Sequence, residues 1–383
     1  MIRGMIQNAE GGSAMEPLSY KEVTESRNLK EVCVDDGRLS LKEFIAVAKY
    51  HARLSFSEGF CERVKKSRNM IDRFLEENRA IYGVTTGFGE NVRYVIEPKD
   101  AVQLQKNIVR SHACPVEYGC KEGLSLLNGT GVVTALALLA LHETIVAMGN
   151  MEIAGAMVYE ALKGLHRQLD QRIYDAKQHE EERVSARNMR KILRGSEIGE
   201  KYQDARVQDA YILRSMPHIQ GAARKLVKEA YEVIINEMHS VSDNPELFDT
   251  EEGGVALMCG NFDGSYVGSH ADMLAMSCAI AGNLVERSID RMVNRHINNG
   301  LPAFLAVHPG LNNGFMIPQY TAAGLMNEIK ILAQPSTIDT ITTCANQEDP
   351  VSFAYFASKK ALLTAKKLQY LVAIDFYDGS TGC

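Results

Sequence analysis

Residues 127–141, LNGTGVVTALALLAL, decide the fold, because they lead from a polar turn directly into the longest apolar run of the chain. The run ends at His142 and Glu143, well short of the roughly 18 apolar residues that a membrane-spanning helix requires. Asn128 stands just before the run, where its side chain can cap a helix. We therefore expect a buried helix that begins beside a polar turn.

Amphipathic helical patterns account for much of the remaining chain. They are clearest in four segments, 40–54, 222–240, 321–335 and 356–376. Ser40 and Glu43 have the spacing of a capping box, and Asn244-Pro245 is a stop signal beyond the second segment. Strand patterns are few and short, at 92–96 and 255–262.

These patterns predict a mainly α protein built as a long bundle of parallel and antiparallel helices, with a small irregular N-terminal part. We expect an N-terminal tail over residues 1–35 and a single domain over residues 36–383. Residues 167–206 are rich in Glu, Arg, Lys and Gln, which predicts an exposed helix or connection.

Composition excludes several classes of function. The net charge of the 383-residue chain is −6, so it has no basic field to attract nucleic acid or an anionic membrane. The N-terminus has no continuous apolar stretch typical of a secretion signal. Eight scattered cysteines without a dense framework indicate reduced thiols, and we expect a cytoplasmic protein.

Neither a metal site nor a nucleotide site is favoured. His112, Cys114 and Cys120 are spaced H-x-C-x5-C, but zinc sites normally have paired cysteines and a second pair further along, which this chain lacks. The glycine-rich stretch YGVTTGFGE (82–90) lacks the GK[ST] ending of a phosphate-binding loop. We therefore expect no metal and no nucleotide cofactor.

Polar, glycine-rich pieces between the helices suggest a different kind of site. Gln208, Tyr211 and Arg214 are three residues apart, which places them roughly on one side of a helical turn. Several turns also carry an amide or a carboxylate. An arginine suits a carboxylate and tyrosines suit proton transfer, so the set indicates a site for a small zwitterion.

Eight motifs then occur in the order in which a known family carries its counterparts. They are YGVTTGFGE (82–90), LQKNIVRSHA (104–113), KEGLSLLNGT (121–130), QDAYILRSMPHIQGA (208–222), SDNP (242–245), GNFDG (260–264), GLNNGFMIPQYTAA (310–323) and NQEDPVSF (346–353). From about residue 40 to 375 the chain resembles the histidine/aromatic amino-acid ammonia-lyase family, which includes aromatic aminomutases. The resemblance implies the helix bundle of the ammonia-lyase (fumarase-like) superfamily and a homotetramer.

The resemblance also implies a chemistry. The family's enzymes remove a β-proton and release ammonia from an α-amino acid, using an electrophile, methylidene-imidazolone (MIO), that forms from an internal Ala-Ser-Gly. Tyr82 is implied as the catalytic base and Tyr211 as a second catalytic residue. Arg214 is implied to bind the substrate carboxylate. The other residues implied to surround the substrate and the electrophile are His112, Asn128, Gln208, Asn244, Phe262 and Glu348.

The chain departs from the family at one place. There the family has a long helical stretch and the Ala-Ser-Gly loop between its RSHA-like and KEGL-like motifs, whereas only CPVEYGC (114–120), here termed the seam, separates them in this chain. No serine is followed by glycine anywhere in the sequence, and cyclisation requires a residue without a Cβ. We therefore expect an internal deletion and no MIO. Pro350 is also unusual after Glu-Asp, and the family runs on beyond the position of Cys383.

Three hypotheses remain open. The chain is an ammonia-lyase of histidine catabolism or of aromatic amino-acid deamination, yielding urocanate or a cinnamate-type acid, whose sequence is incomplete or inactive. Alternatively it is related to the aromatic 2,3-aminomutases, with the same gap. In the third, it is a non-catalytic subunit that contributes Tyr82 or Glu348 to a neighbouring subunit's site.

Overall fold

A computed structural model describes residues 20–35, 39–110, 119–251 and 253–382. The N-terminal part contains two short parallel strands and five helices. The strands are β1 (Glu31–Val34) and β2 (Arg53–Phe56). The helices are α1 (Tyr20–Glu25), α2 (Leu41–Tyr50), α3 (Glu58–Glu76), α4 (Pro98–Arg110) and α5 (Glu122–Leu127).

The remainder is dominated by long helices, which confirms the mainly α prediction. The first four of these elements are α6 (Gly131–Ala161), α7 (Gln171–Asp175), α8 (Glu180–Ile192) and α9 (Glu197–Tyr202). The next are α10 (Tyr211–Arg214), α11 (Met216–Met238) and an antiparallel hairpin of β3 (Glu246–Phe248) and β4 (Val255–Leu257). The last three helices are α12 (Ser265–Val293), α13 (Met316–Leu332) and α14 (Ala354–Gly382).

The apolar run predicted to be a buried helix begins α6, the central element of the bundle. α6 packs against α14, α12, α11 and α8, so most of its circumference is covered by other helices. Leu138, Leu141 and Tyr159 are at most 1% exposed and belong to the same core cluster. A helix that is apolar on nearly all sides is stable only when other elements cover it in this way.

Two buried carboxylates on α6 are matched by charges from neighbouring helices. Lys49 Nζ lies 2.5 Å from Glu143 Oε1, and the Gln369 amide donates to the other oxygen. Burial alone would raise the pKa of Glu143, but hydrogen bonds from His142, Lys49 and Gln369 lower this pKa to about 2. The stretch Glu122–Ala161 is long and apolar enough to cross a bilayer, but these paired buried charges are those of a core helix.

The second buried carboxylate, Glu152, joins three helices. Its oxygens accept hydrogen bonds from Ser185 Oγ at 3.0 Å, Asn188 Nδ2 at 2.8 Å and Arg224 Nη2 at 2.5 Å. Ser185 and Asn188 lie on α8, and Arg224 lies on α11. The network therefore fixes α8 and α11 against α6.

Several predictions need correction. Residues 92–96 are not a strand: Gly89–Arg93 form a 3-10 turn, and Val95 makes only an isolated bridge to Thr86. In the described structure no neighbouring strand pairs with these residues, and Val95 is 74% exposed. The predicted strand at 255–262 is limited to Val255–Leu257. The boundary after residue 35 stays a prediction, although α1 contacts α6 through a Tyr20–Asn150 hydrogen bond.

The polar region 167–206 is also more buried than predicted. Its main helix, α8, packs along α11 and buries Ala186 and Met189 completely. Glu182 is 6% exposed and bonds to Lys177 Nζ at 2.8 Å. One face of this highly charged segment is thus buried, because a buried carboxylate on it is paired with a cationic side chain.

The last helix carries two buried carboxyls whose oxygens are incompletely hydrogen-bonded. Asp375 and Asp378 are 1% and 0% exposed, and within the part of the chain that the structure describes neither oxygen of Asp378 has a hydrogen-bond partner. Burial raises the pKa of Asp375 well above its ordinary value and the pKa of Asp378 to about 8. Both groups therefore favour the protonated form in the folded protein.

We predict that Asp378→Asn stabilises the protein at alkaline pH. The pKa of an unfolded aspartate is about 3.9, so between pH 4 and 8 the folded state holds a proton that the unfolded state does not, and the free energy of unfolding falls as pH rises. Asparagine does not titrate, so the variant does not lose this part of the free energy of unfolding as pH rises. The loss in the parent chain is a few kcal/mol at about 1.4 kcal/mol per pKa unit. Urea unfolding at pH 6 and pH 9 measures it.

The matched control is Asp204→Asn, because the Asp204 side chain is 85% exposed. This substitution should leave the change in the free energy of unfolding between pH 6 and pH 9 the same as in the parent chain. If the free energy of unfolding changes between the two pH values by the same amount in the parent chain and in Asp378→Asn, the prediction is contradicted.

Candidate functional site

The loop that carries Tyr82 is held by its own hydroxyl and amide groups. Thr85 Oγ1 accepts from Ile81 N at 2.8 Å and donates to Arg79 O at 2.6 Å. The Tyr82 hydroxyl accepts from Gly89 N at 2.8 Å. The predicted base is therefore half-buried and oriented by a backbone donor seven residues further along the chain.

The two predicted asparagines meet at the start of α6. Asn128 Nδ2 donates to Asn244 Oδ1, and Asn244 is 3% exposed. Beside them, buried Lys121 forms an ion pair with Asp243, which also accepts from Ser125 Oγ at 2.6 Å. The turn before α6 and the SDNP segment thus form one polar cluster.

The segments that carry Phe262 and Glu348 lie near the same end of α6. A Cβ at Gly264 would lie 2.6 Å from Ala354 Cβ and 3.9 Å from Val133 Cγ2. Phe262 is 43% exposed. Glu348 is exposed and accepts from Thr343 Oγ1 at 2.8 Å.

The Tyr82 loop also reaches the segment that precedes Glu348. A Cβ at Gly89 would lie 2.6 Å from Cys344 Sγ. The 3-10 turns Gly89–Arg93 and Cys344–Asn346 contact each other. The structure therefore brings the loops of Tyr82 and Glu348 together.

Arg214 and Tyr211 form a separate pair on α10. The guanidinium carbon of Arg214 lies 4.5 Å from the centroid of the Tyr211 ring, and Arg214 Nε is buried without a hydrogen-bond partner among the described residues. Tyr211 is 71% exposed and Gln208 is also exposed. An arginine on an aromatic face with an unused buried donor is suited to bind a carboxylate.

Asp209, which the motif analysis did not single out, anchors this pair. Its carboxylate accepts from Leu165 N at 2.7 Å and Gln168 Nε2 at 2.5 Å, and it forms an ion pair with Arg206. Asp209 is 3% exposed. A carboxylate between Gln208 and Tyr211 was visible in the sequence, but its burial was not.

The predicted site residues thus fall into groups within one chain. Among the described ranges, no hydrogen bond or ion pair links Arg214 or Tyr211 to the Asn128–Asn244 pair. His112 lies outside the described residues, as do Ser111 and Cys114. Within the part of the chain that the structure describes, no group of three or more His, Cys, Asp or Glu side chains is placed to hold a metal ion.

Comparison with known proteins identifies the family. The family model for aromatic amino acid lyases matches residues 39–120 and 114–382, so the match is divided at the seam. Histidine ammonia-lyase of Clostridium tetani is 32% identical over 455 aligned positions, covering 91% of this chain and 88% of that protein. Since 91% of 383 residues is about 349, about 100 aligned positions have no residue of this chain opposite them.

Solved structures share the fold. Histidine ammonia-lyase from Trypanosoma cruzi superimposes with a TM-score of 0.81 at 25% identity, covering 92% of this chain and 84% of that chain. Tyrosine aminomutase from Streptomyces globisporus gives a TM-score of 0.82 at 24% identity, with 91% and 88% covered. The family match over most of the sequence, the histidine ammonia-lyase relatives and the shared helical fold agree: this chain belongs to the aromatic amino acid lyase family.

Proposed function

We propose that the chain is a histidine ammonia-lyase-type subunit that binds an amino acid but cannot build its own electrophile. The observation that carries the proposal is the absence of any serine followed by glycine in the 383 residues. The division of the family match at 114–120, together with the unmatched positions in the alignment, supports an internal deletion there.

The remaining residues do not fit the MIO group. The one Ala-Ser pair, Ala357-Ser358, is followed by Lys359 and lies inside α14, where Ser358 is fully buried. A helical backbone with a Cβ at the third position prevents the nitrogen from approaching the upstream carbonyl. No catalytic step is therefore assigned through MIO in this chain, and the demanding part of the chemistry has no source.

Apolar exposure beside the seam supports the same proposal. Leu126, Leu127 and Val132 are 56%, 40% and 61% exposed, and they follow the seam within twelve residues. Large apolar side chains grouped on a surface indicate a missing cover. We propose that the segment missing at 114–120 supplies this cover.

The retained side chains define what the subunit binds. Arg214 takes the carboxylate of an α-amino acid, and the amides of Asn128 and Asn244 offer hydrogen bonds to its polar groups. The histidine ammonia-lyase relatives support L-histidine as the ligand. We extend the proposal to a role in histidine catabolism in the cytoplasm. Relatedness to the tyrosine aminomutase fold keeps an aromatic substrate and an aminomutase as the second candidate.

A stripe on α14 supports an oligomer of identical subunits. Phe356, Leu363, Tyr370 and Tyr377 are spaced by seven residues and are 41–70% exposed. Residues at a seven-residue spacing lie on one side of a helix and pack against another helix. Because Tyr211, Phe262 and Glu348 are also exposed in one chain, we propose that subunits of a tetramer complete each other's sites.

The purified chain should release no ammonia from L-histidine, and its mass should equal that of the unmodified sequence. MIO formation removes two waters, so intact mass spectrometry detects it directly, and an absorbance band sensitive to borohydride detects it independently. Urocanate formation by the 383-residue chain would refute the proposal.

Restoring the segment should create activity. The corresponding segment of the Clostridium tetani relative, inserted in place of residues 114–120, supplies the tripeptide and a cover for Leu126, Leu127 and Val132. We expect ammonia release, with urocanate from histidine for a lyase or a β-amino acid from an aromatic substrate for an aminomutase. The control insertion replaces the serine of the tripeptide with alanine. A folded insertion variant that forms MIO but converts neither substrate would show that the other site residues are not functional.

Tyr377→Glu should weaken the oligomer, because it places a charge within the apolar stripe. Light scattering after gel filtration should give a tetramer for the parent chain and smaller species for the variant. Ile173→Glu, at a 44% exposed position on α7, is the control and should remain tetrameric. A monomeric parent chain would overturn the assignment of this stripe.

Native mass spectrometry of mixtures with the intact Clostridium tetani relative tests the non-catalytic subunit hypothesis.

A further inference from the structure

The fully buried side-chain amide of Gln105 joins the loop that carries Tyr82 to α5, the helix before Asn128. Gln105, on α4, is 0% exposed. Its Nε2 donates to Gly83 O at 2.7 Å, and its Oε1 accepts from Leu124 N at 3.0 Å. The donor end of the side chain thus binds the Tyr82 loop and the acceptor end binds α5.

At α5, Gln105 replaces a missing helix cap. The residue before the helix, Lys121, has a φ of 68° and makes no capping hydrogen bond with its side chain. The first N–H groups of a helix require acceptors, and the residue before the helix commonly supplies one. Here the acceptor for Leu124 N comes from another helix. At its other end, α5 is followed by Asn128, which binds Asn244.

At the loop, Gln105 binds the residue next to the predicted base. Gly83 has a φ of +63°, and a Cβ there would collide with Leu124 Cδ2, so the loop and α5 are in direct contact. Because Gly83 follows Tyr82, a hydrogen bond to its carbonyl fixes the backbone from which the Tyr82 ring projects. The position of Tyr82 relative to Asn128 is therefore set by the Gln105 side chain together with the direct contact between Gly83 and Leu124.

We infer that Gln105 is a positioning residue that holds the Tyr82 loop and the Asn128-bearing helix in a fixed relation for ligand binding. The inference rests on the proposed function, because the ligand is the amino acid bound there. Only a side chain with a donor and an acceptor at adjacent atoms satisfies both segments. Leucine offers neither atom, and an ionised glutamate offers no donor.

The first experiment compares Gln105→Leu with the parent chain by hydrogen exchange and by calorimetric titration with L-histidine. Gln103→Leu is the matched control, because Gln103 lies on the same helix, is exposed and donates to Asn107 Oδ1 at 2.7 Å on that helix. We expect hydrogen exchange to become about tenfold faster or more in peptides covering 82–95 and 119–128. The reason is that the free-energy penalty of an unsatisfied buried polar group changes the opening equilibrium by about that factor. Exchange in α11 should be unchanged, and L-histidine affinity should fall about tenfold or more.

The second experiment uses the pH dependence of Gln105→Glu. A protonated carboxylic acid has one donor and one acceptor and imitates the amide, whereas the ionised form cannot donate to Gly83 O. Relative to the parent at the same pH, the variant should exchange normally at pH 5 and resemble Gln105→Leu at pH 8. A purely space-filling role for Gln105 gives an effect that does not change with pH.

The outcomes separate this inference from the proposed function. If the parent chain does not bind L-histidine, the proposed ligand is wrong, while the exchange data still test the role of Gln105. If Gln105→Leu exchanges and binds like Gln103→Leu, the inference is overturned. If Gln105→Leu does not fold, Gln105→Glu decides: pH-dependent exchange confined to the two segments supports the inference, and pH-independent exchange overturns it.

Discussion

The structure depends on the covering of α6. Residues 131–161 are apolar on nearly every side, and a single isolated helix of this kind has no stable surface in water. α8, α11, α12 and α14 pack around it because each supplies an apolar face. The charges of Glu143 and Glu152 lie inside this packing and are matched by Lys49 and Arg224. Each ion pair also fixes which helix lies at which side of α6.

The start of α6 is where these constraints meet the candidate site. Asn128 precedes the helix, and the SDNP, GNFDG and NQEDPVSF segments approach it from separate parts of the chain. Their backbones are held by short polar contacts such as the Lys121–Asp243 ion pair, which is buried on the lysine side. The candidate site residues differ in burial: Phe262 and Glu348 are exposed, while Asn244 is covered together with Lys121 beside it.

The same region is where the chain departs from its family. The seam separates α4 from α5 in sequence, and Gln105 on α4 binds α5 directly and the Tyr82 loop with its other end. This contact uses only residues outside the seam, although Cys120 of the seam packs in one core cluster with Ile81 and Val84, which flank Tyr82. Leu126, Leu127 and Val132, which follow the seam in sequence, are exposed, and under the proposed function the missing segment covers them. We propose that a subunit with these properties retains binding groups but has no source of the electrophile.

The sequence alone determined the helical class, the four amphipathic segments, the order of the family motifs and the absence of a Ser-Gly pair. These are properties of periodicity and of local residue order, which do not require knowledge of partners. The tertiary structure decided the burial of charged residues. The charged α8 buries one face because Lys177 pairs with Glu182 and Lys228 pairs with Glu181. Residues 92–96 form no strand because no neighbouring strand pairs with them. Likewise, Gln103 and Gln105 differ little in sequence context, but only Gln105 faces two unsatisfied backbone groups. A one-dimensional pattern specifies which face of an element is buried, whereas the groups that meet that face are set by packing between distant segments.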